Sequence, residues 1–351
     1  MPEEPAEATA SSAPGVSYVM PVLNDASHVR QAVESILAQE VAGPIEVLIA
    51  LGPSIDGTAE LVADLAARDP RVRVLENEVG STPAGLNIGI RAAQYPVVVR
   101  VDSHSVLSPR YTAIAVETLD RTGADNVGGV MAAHGETPFE RAVALAYTTP
   151  VGLGGSSFHV GGSEGPAETV YLGVFRTAAL HRVGLFDEEI KRGQDWELNR
   201  RIREQGGTVW FTPELSVTYR PRSSVERLAR QMFSTGLWRG ELARRFPASN
   251  GIRYFVPPAM VVGVVLGTLV GVAGIVQAIV GASPWLLLGF VVPAVYLAFL
   301  ALATLVYARG ADRATAWRFL LVLPCIHVSW GAGFILGYLS LAKNIARHTG
   351  R

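Results

Sequence analysis

The stretch VVVRVDSHSVL, residues 97–107, joins a predicted buried strand to a short run of polar side chains. The three consecutive valines 97–99 form the kind of β-branched run that is typical of a strand inside a sheet. Asp102 and His104 follow this strand, and a carboxylate and an imidazole at that spacing can both turn toward one bound cation. Asp and Ser after a strand also commonly cap a turn or the next helix. These residues alone leave both interpretations open.

Predicted strands and helices alternate on both sides of this stretch. Strands are predicted at 17–23, 45–51, 72–77 and 97–102, and helices at 28–39, 58–69 and 80–94. This alternation is typical of an α/β fold with a mostly parallel sheet flanked by helices, in which ligands gather beyond the carboxyl ends of the strands. We therefore expect segments 24–25, 52–54 and 102–104 to converge on one cleft.

A second candidate site lies further along the chain. Residues 169–175 predict another strand, and Asp195 and Trp196 open an amphipathic helix with Leu198 and Ile202 on one face. An acidic residue in a first helical turn is usually a cap or a partner of the helix dipole. Asp195 is open to that interpretation as well as to a chemical one.

The C-terminal part of the chain is apolar enough to enter a membrane. No Asp, Glu, Lys or Arg occurs between Phe255 and Ala308, and each half of that run exceeds the roughly 20 residues that cross a bilayer. We predict a transmembrane region at 254–351 with about three apolar segments, 255–280, 285–308 and 319–342. Buried bundle helices are the alternative. The third segment either crosses or is re-entrant, because three full crossings would place the basic C-terminal tail outside.

Charge and leader composition suggest where the remaining residues lie. Residues 1–15 lack the basic and apolar regions of a signal peptide and are predicted to be a disordered tail. Residues 16 to about 250, which include a predicted soluble domain at 16–220, are therefore expected to stay cytoplasmic. Segment 221–253 is predicted to be a basic interfacial helix, since arginines far outnumber acids there. Such a segment before a membrane span suits anionic membrane lipids or a lipid pyrophosphate, and without a recognisable motif it does not indicate nucleic acid. The single Cys325 excludes an internal disulfide and a cysteine cluster for zinc.

Seven stretches together resemble one family. From about Val16 to Arg245 the chain resembles a family 2 glycosyltransferase of the GT-A fold, in the membrane-bound bacterial branch that includes succinoglycan-type enzymes. The stretches, in chain order, are PVLND (21–25), PSIDGT (53–58), AGLNIGI (84–90), RVDSHS (100–105), YLGVFR (171–176), GLFDEEIKRGQDWELNRRI (184–202) and RQMFSTGLWR (230–239).

The resemblance implies a donor site and a metal site. Asp102 and His104 stand where such enzymes carry an Asp-x-Asp motif, which implies that they hold a divalent cation, Mn²⁺ or Mg²⁺, against the diphosphate of the donor. A histidine in the second place favours the softer manganese. The residues implied to bind the nucleotide sugar are Pro21, Asn24, Asp25, Asp56, Asn87 and Asp102. Leu51 and Gly52 replace an acidic pair that is common in the family, so the nucleotide base stays open, and Asp56 has the alternative of capping a helix.

The resemblance also implies a general base and an acceptor side. Asp195 matches the family's base, ahead of Glu197 or Asp187, and would take the proton of the attacking acceptor hydroxyl. The acceptor side is implied to include Gln194, Trp196, Gln231, Trp238 and Arg239. Trp238 has the alternative of anchoring the chain at the bilayer surface.

The expected function is an inverting, metal-dependent transfer of a sugar from a nucleotide sugar to a polyprenyl-linked or other lipid-linked glycan. It would take place at the cytoplasmic face of the inner membrane, in polysaccharide or cell-envelope glycan biosynthesis. The alternatives are a processive polysaccharide synthase and a catalytically inactive membrane protein that binds nucleotide sugars. The base distinguishes the last of these, because a binder needs none at Asp195.

Overall fold

The computed structural model describes residues 13–281, 283–342 and 344–345. Residues 1–12 of the predicted tail, and all the basic residues after position 342, lie outside the described residues. The described chain forms two compact units that interleave along the sequence. The first contains residues up to 129 with 170–188 and 201–215, and the second contains 130–169, 189–200 and the residues from 216 onward. The predicted boundaries at 220 and 253 stay predictions.

The strands of the described residues belong to one sheet. They are β1 (Val16–Val22), β2 (Ile45–Leu51), β3 (Val72–Glu76), β4 (Val97–Arg100), β5 (Asn126–Ala133), β6 (Gly165–Pro166), β7 (Tyr171–Arg176) and β8 (Val209–Tyr219). The order across the sheet is β3-β2-β1-β4-β7-β5-β8-β6. Strands β1 to β4 pair in parallel, as predicted, whereas β7 runs antiparallel to both β4 and β5.

The helices follow the predicted pattern in the first half of the chain. They are α1 (Val29–Leu37), α2 (Thr58–Arg68), α3 (Thr82–Ala92), α4 (Tyr111–Thr122), α5 (Pro138–Tyr147), α6 (Pro150–Leu153), α7 (Ser157–Val160), α8 (Thr177–Arg182), α9 (Gln194–Glu204), α10 (Val225–Arg245), α11 (Val256–Ile279), α12 (Val291–Tyr307) and α13 (Arg313–Tyr338). Every predicted element up to residue 102 is present, with ends that differ by at most three residues.

The register of the parallel strands places three loops at one edge of the sheet. Strand β1 lies between β2 and β4, and all but one of its residues are buried, as expected for an apolar strand covered on both faces. Val22 at the end of β1 is opposite Leu51 at the end of β2. Val19 is opposite Arg100 at the end of β4. The loops after β1, β2 and β4 therefore leave the sheet at the same edge.

Three helical segments of the second unit are long and apolar enough to cross a membrane. They are Ile252–Ile279, Trp285–Tyr307 and Arg313–Tyr338. The third begins six residues before the predicted start at Phe319, because Asp312 caps it by accepting a hydrogen bond from the Thr315 backbone N–H at 3.0 Å. It continues as one helix through Pro324.

Helix α13 packs closely against α10. A Cβ atom added at Gly236 would lie 2.0 Å from the Trp330 carbonyl oxygen, and one at Gly240 would lie 2.2 Å from that of Phe334. Glycine on these turns therefore lets the two helix backbones approach each other. More than half of α10 is buried, so this part of the predicted interfacial segment is not a helix lying freely on a surface.

Candidate functional site

Asp25 is the centre of a polar cluster at the carboxyl edge of the sheet in the first unit. Its carboxylate accepts a hydrogen bond from the Ser103 hydroxyl at 2.5 Å and contacts His28 Nδ1 at 2.6 Å. His104 Nδ1 lies 3.6 Å from the same carboxylate. Although burial alone would raise it, the pKa of Asp25 lies well below its usual range because these histidine and serine side chains stabilise the charged form. The loop after β1 and the loop after β4 therefore meet at an ionised carboxylate.

Asn24 and Asp56 connect the loop after β1 to the loop after β2. The Asn24 backbone N–H donates to Ser54 Oγ at 3.0 Å, and Asn24 Oδ1 accepts from the Ile55 N–H at 2.8 Å. Asp56 accepts from the Ala26 N–H at 3.2 Å and from the Thr58 hydroxyl at 2.5 Å. Asp56 thus links the two loops to the start of α2 by hydrogen bonds, which agrees with the capping interpretation. Its contact with a nucleotide stays a prediction.

Asp102 is held at the end of β4 by a buried arginine. Arg100 is 6% exposed, and its Nη2 donates to Asp102 Oδ1 at 3.1 Å. Asp102 itself is half-buried, and His104 is exposed. The guanidinium orients the carboxylate and balances its charge.

Asp102 and His104 remain the predicted ligands of a divalent cation that also binds a diphosphate. A carboxylate and an imidazole are a mixed pair that manganese accepts. No group of three or more acidic, histidine or cysteine side chains with the geometry of a metal site occurs within the described residues. A cation bound there would need further oxygen ligands from a substrate or water, as Mg²⁺ in phosphate-binding sites does.

Asn87 and Pro21 have packing roles in the same unit. Asn87 is 2% exposed, donates to the Phe186 carbonyl at 2.9 Å and accepts from the Phe186 N–H at 2.9 Å. Pro21 lies opposite Ala50, beyond the last residue of β1 that pairs with β4, so its missing N–H leaves no gap in that ladder. Their predicted contacts with a nucleotide sugar remain predictions.

The predicted base lies in the first turn of α9, in the second unit. Gln194 begins this helix and Asp195 is partly exposed beside it. Glu197, the alternative base, is 3% exposed and pairs with Arg200 at 3.1 Å. Asp195 is the carboxylate of this turn that is more accessible to an acceptor, whereas Glu197 has the surroundings of a structural ion pair.

Trp196 packs against α10 through aromatic and cationic contacts. It forms a buried cluster with Ile190, Trp238 and Leu242. The guanidinium carbon of Arg239 lies 3.9 Å from the centre of a Trp196 ring. Trp238 is 1% exposed, which contradicts the alternative that it anchors the chain at the bilayer surface. Its indole is needed for packing between α9 and α10.

Gln231 belongs to a polar group that the sequence did not indicate. Its side chain donates to the Tyr219 hydroxyl at 2.8 Å and accepts from the Tyr147 hydroxyl at 3.3 Å. The rings of Tyr147 and Tyr219 are 6.0 Å apart, and His159 approaches Tyr147 edge-on at 6.4 Å. Burial lowers the pKa of His159 to about 4, so this imidazole is neutral at pH 7.

Sequence reasoning missed Ser103, Arg100 and the tyrosines of this group. Ser103 stands between the two predicted metal ligands, and its polarity at the end of a strand was the available signal. The tyrosines carried no signal, because Tyr147 and Gln231 are separated by 84 residues.

Comparisons with known proteins agree with this architecture. Residues 17–184 match the profile described as glycosyl transferase family 2. The chain is 29% identical over 339 residues to the succinoglycan biosynthesis protein ExoA of Rhizobium meliloti (strain 1021), which covers 93% of this chain and 96% of that protein. It is 25% identical over 239 residues to a dolichyl N-acetyl-alpha-D-glucosaminyl phosphate 3-beta-D-2,3-diacetamido-2,3-dideoxy-beta-D-glucuronosyltransferase of Methanococcus voltae, covering 66% of this chain and 74% of that protein.

A solved structure shares the fold. The mannosyltransferase PcManGT from Pyrobaculum calidifontis, solved in complex with GDP-Man and Mn²⁺, matches with a TM-score of 0.59 at 18% identity. The match covers 91% of this chain and 88% of that chain. The GT-A fold predicted from the sequence is thereby confirmed.

Proposed function

We propose that the chain adds one sugar to a lipid-linked glycan. The premise is that residues 17–184 form a glycosyl transferase family 2 domain and that the chain is a glycosyltransferase of polysaccharide or glycan biosynthesis. The donor is a nucleotide sugar, the anomeric configuration inverts, and the reaction takes place at the cytoplasmic face of the inner membrane. The acceptor is a glycan carried on a polyprenyl phosphate or pyrophosphate.

One observation carries the choice of a lipid-linked acceptor: the glycosyltransferase domain shares its chain with three helices long and apolar enough to cross a membrane. A transferase acting on soluble acceptors has no need of such helices. The name of the Methanococcus voltae relative describes a dolichyl-linked acceptor, which supports the same choice. Three helices are few for the conduction of a long polymer, which disfavours a processive synthase.

The donor end of the mechanism uses the polar cluster around Asp25. Asp102 and His104 would hold a divalent cation, which supplies positive charge against the diphosphate as the glycosidic bond breaks. Asn24, Asp25 and Asp56 define the loops on which the nucleotide sugar would bind. Arg100 donates a hydrogen bond to the Asp102 carboxylate and aligns it at the strand end.

The acceptor end uses Asp195. The acceptor hydroxyl attacks the anomeric carbon, a new glycosidic bond forms on the opposite face of the sugar, and the nucleoside diphosphate leaves. Asp195 accepts the hydroxyl proton as the bond forms. We place three further residues on the acceptor side. Gln194 and Trp196 flank Asp195 in the sequence, and Gln231 lies in the same unit.

The test is transfer by the purified chain in detergent or nanodiscs. A panel of nucleotide sugars is offered with polyprenyl pyrophosphate sugars, and the lipid products are resolved by mass spectrometry. We expect one donor to extend one acceptor class by a single residue, and Asp102→Asn to abolish the product. Extension by many residues would favour a processive synthase. Donor binding without any product across the panel would favour an inactive binder.

A further inference from the structure

Arg239 is a buried cation without a carboxylate partner among the described residues. It is 8% exposed, and its one hydrogen bond within the described part of the chain joins Nη2 to Asn250 Oδ1 at 2.7 Å. The Nε and Nη1 atoms are buried and have no acceptor among the described residues. Burial lowers the pKa of Arg239 to about 10, which leaves the guanidinium charged at pH 7.

Two aromatic rings cover this guanidinium. Its central carbon lies 3.9 Å from the centre of a Trp196 ring and 3.7 Å from that of Tyr254. Such contacts offset part of the cost of burying a charge, but a buried cation normally also has an anion. A neutral side chain of similar size would pack between two rings without that cost.

A second arginine adds to the positive charge at the same place. Arg253 is close enough to disfavour the charged form of Arg239, and Glu168 acts on it in the opposite sense. Glu168 forms its ion pair with Arg253, which also donates to the Tyr254 hydroxyl at 2.9 Å. Glu168 balances one of the two arginines. The group therefore carries one excess positive charge and two N–H donors that lack acceptors in the described structure.

The position of the group suggests where its anion comes from. Asn250, Arg253 and Tyr254 lie in the short connection between α10 and α11, and the first candidate membrane span begins at Ile252. If this span crosses a bilayer, side chains at its start lie near the phosphates of the membrane lipids. Tyr254 belongs to the 3₁₀ turn Ile252–Phe255 at the start of that span, so only its side chain has to turn away to uncover the guanidinium.

We infer that Arg239 and Arg253 form a subsite for the phosphate or pyrophosphate group of a membrane lipid. The anion accepts hydrogen bonds from Arg239 Nε and Nη1 and displaces Tyr254 from the guanidinium face. This inference rests on the proposed function, because in that function the lipid is the carrier of the acceptor glycan. Since Arg239 stacks on Trp196, the residue after the proposed base, a phosphate held here fixes the lipid end of the acceptor beside α9.

A binding experiment without donor tests the subsite separately from transfer. The intact chain in phosphatidylcholine nanodiscs is titrated with farnesyl pyrophosphate, and binding is followed by the quenching of tryptophan fluorescence. We expect Arg239→Gln and Arg253→Gln each to weaken binding by at least about tenfold, the scale of a lost charge-assisted hydrogen bond. Arg230→Gln is the matched control, since Arg230 lies on the same helix, is exposed and pairs with Glu226.

Competition identifies the source of the phosphate. Displacement of farnesyl pyrophosphate by inorganic pyrophosphate with a similar affinity would overturn recognition of a lipid. If farnesyl pyrophosphate binds more weakly in phosphatidylglycerol nanodiscs but equally well to the two variants, binding reflects general surface charge and the subsite is overturned. Equal losses in Arg230→Gln would also overturn it. If Arg239→Gln does not fold, the test rests on the variant of the half-exposed Arg253. Unchanged binding of farnesyl pyrophosphate to Arg253→Gln would then refute the inference. Binding that is retained while no sugar is transferred would refute the proposed function and leave the subsite in place.

Discussion

The Ser103 hydroxyl donates a 2.5 Å hydrogen bond to the carboxylate of Asp25, a residue 78 positions earlier in the chain. This contact joins the loop after β1 to the loop after β4. His104, which follows Ser103, lies 3.6 Å from the same carboxylate. The geometry of the donor site therefore depends on a serine that makes no predicted contact with substrate.

Ser103→Ala should destabilise the first unit by about 1.5–3 kcal/mol, the usual contribution of a hydrogen bond to a charged group. The thermal unfolding of the detergent-solubilised chain should shift downward by a few degrees, and donor affinity should fall with it. The exposed Ser108 on the same loop provides the control, because Ser108→Ala removes a hydroxyl of the same size from a solvated position. Equal melting temperatures for both variants would contradict a structural role for Ser103.

Removal of divalent cations should abolish transfer, and manganese or magnesium should restore it. His104→Asp should retain activity and shift the preference toward magnesium, because a carboxylate replaces a softer nitrogen ligand. Initial rates across a titration of each metal measure the shift. His181→Asp, at an exposed histidine outside this edge of the sheet, should leave the preference unchanged. Full activity after exhaustive chelation would exclude a metal-dependent reaction.

Asp195→Asn should leave donor affinity nearly unchanged and lower turnover by roughly a hundredfold or more, because the amide is isosteric but accepts no proton. Calorimetry with the nucleotide sugar and a transfer assay on the same preparation separate the two effects. Glu204→Gln, at the other end of α9, serves as the control for a change of charge on this helix.

Glu197→Gln is the informative comparison for this base. Glu197 is buried with Arg200, so its loss should lower thermal stability more than Asp195→Asn does. If Glu197→Gln abolishes transfer in a folded protein while Asp195→Asn does not, the base has been assigned to the wrong carboxylate.

The chain should need detergent or lipid to stay soluble, because three helices present span-length apolar surfaces. Extraction of membranes with high salt or alkaline carbonate should leave it in the pellet, and mild detergent should release it. Release by salt alone would contradict integral insertion.

Gly240→Leu should destabilise the packing of α10 on α13, since even a Cβ there would lie 2.2 Å from the Phe334 carbonyl oxygen. Overpacking of this kind typically costs about 1–3 kcal/mol or more. Gly310→Ala is the control, because nothing lies within 4 Å of an added Cβ at that residue. Size-exclusion chromatography and thermal melting in detergent compare the two variants, and similar behaviour of both would contradict close approach of the helices.

The apolar spans follow Pro247, so the sequence predicts that removing everything after about this residue releases a soluble domain. Helix α10 buries much of its surface, and its close approach to α13 involves two glycines on each helix. Cutting the chain after Pro247 would expose that surface. A soluble fragment that ends there is therefore expected to aggregate, even though the sequence places the apolar spans after this point.

The local elements, the family resemblance and the apolar helices could all be predicted from the sequence. Strands such as 45–51 could be predicted to the residue because their β-branched runs are buried on both faces, and helix and strand periods differ enough to be read locally. Span-length apolar segments follow from composition in the same way. These features depend on neighbours in the chain, which a sequence displays directly.

Tertiary structure alone decided the contacts between residues far apart in the chain. Three such contacts join segments whose order in space is set by strand register and helix packing. They are Ser103 with Asp25, Gln231 with Tyr147, and Arg239 between Trp196 and Tyr254. No periodicity encodes such pairings, because each depends on which side chains the packed elements bring within a few ångströms. For that reason the family's motifs could be recognised in advance, whereas the buried guanidinium of Arg239 became visible as an incomplete ion pair only when its surroundings were known.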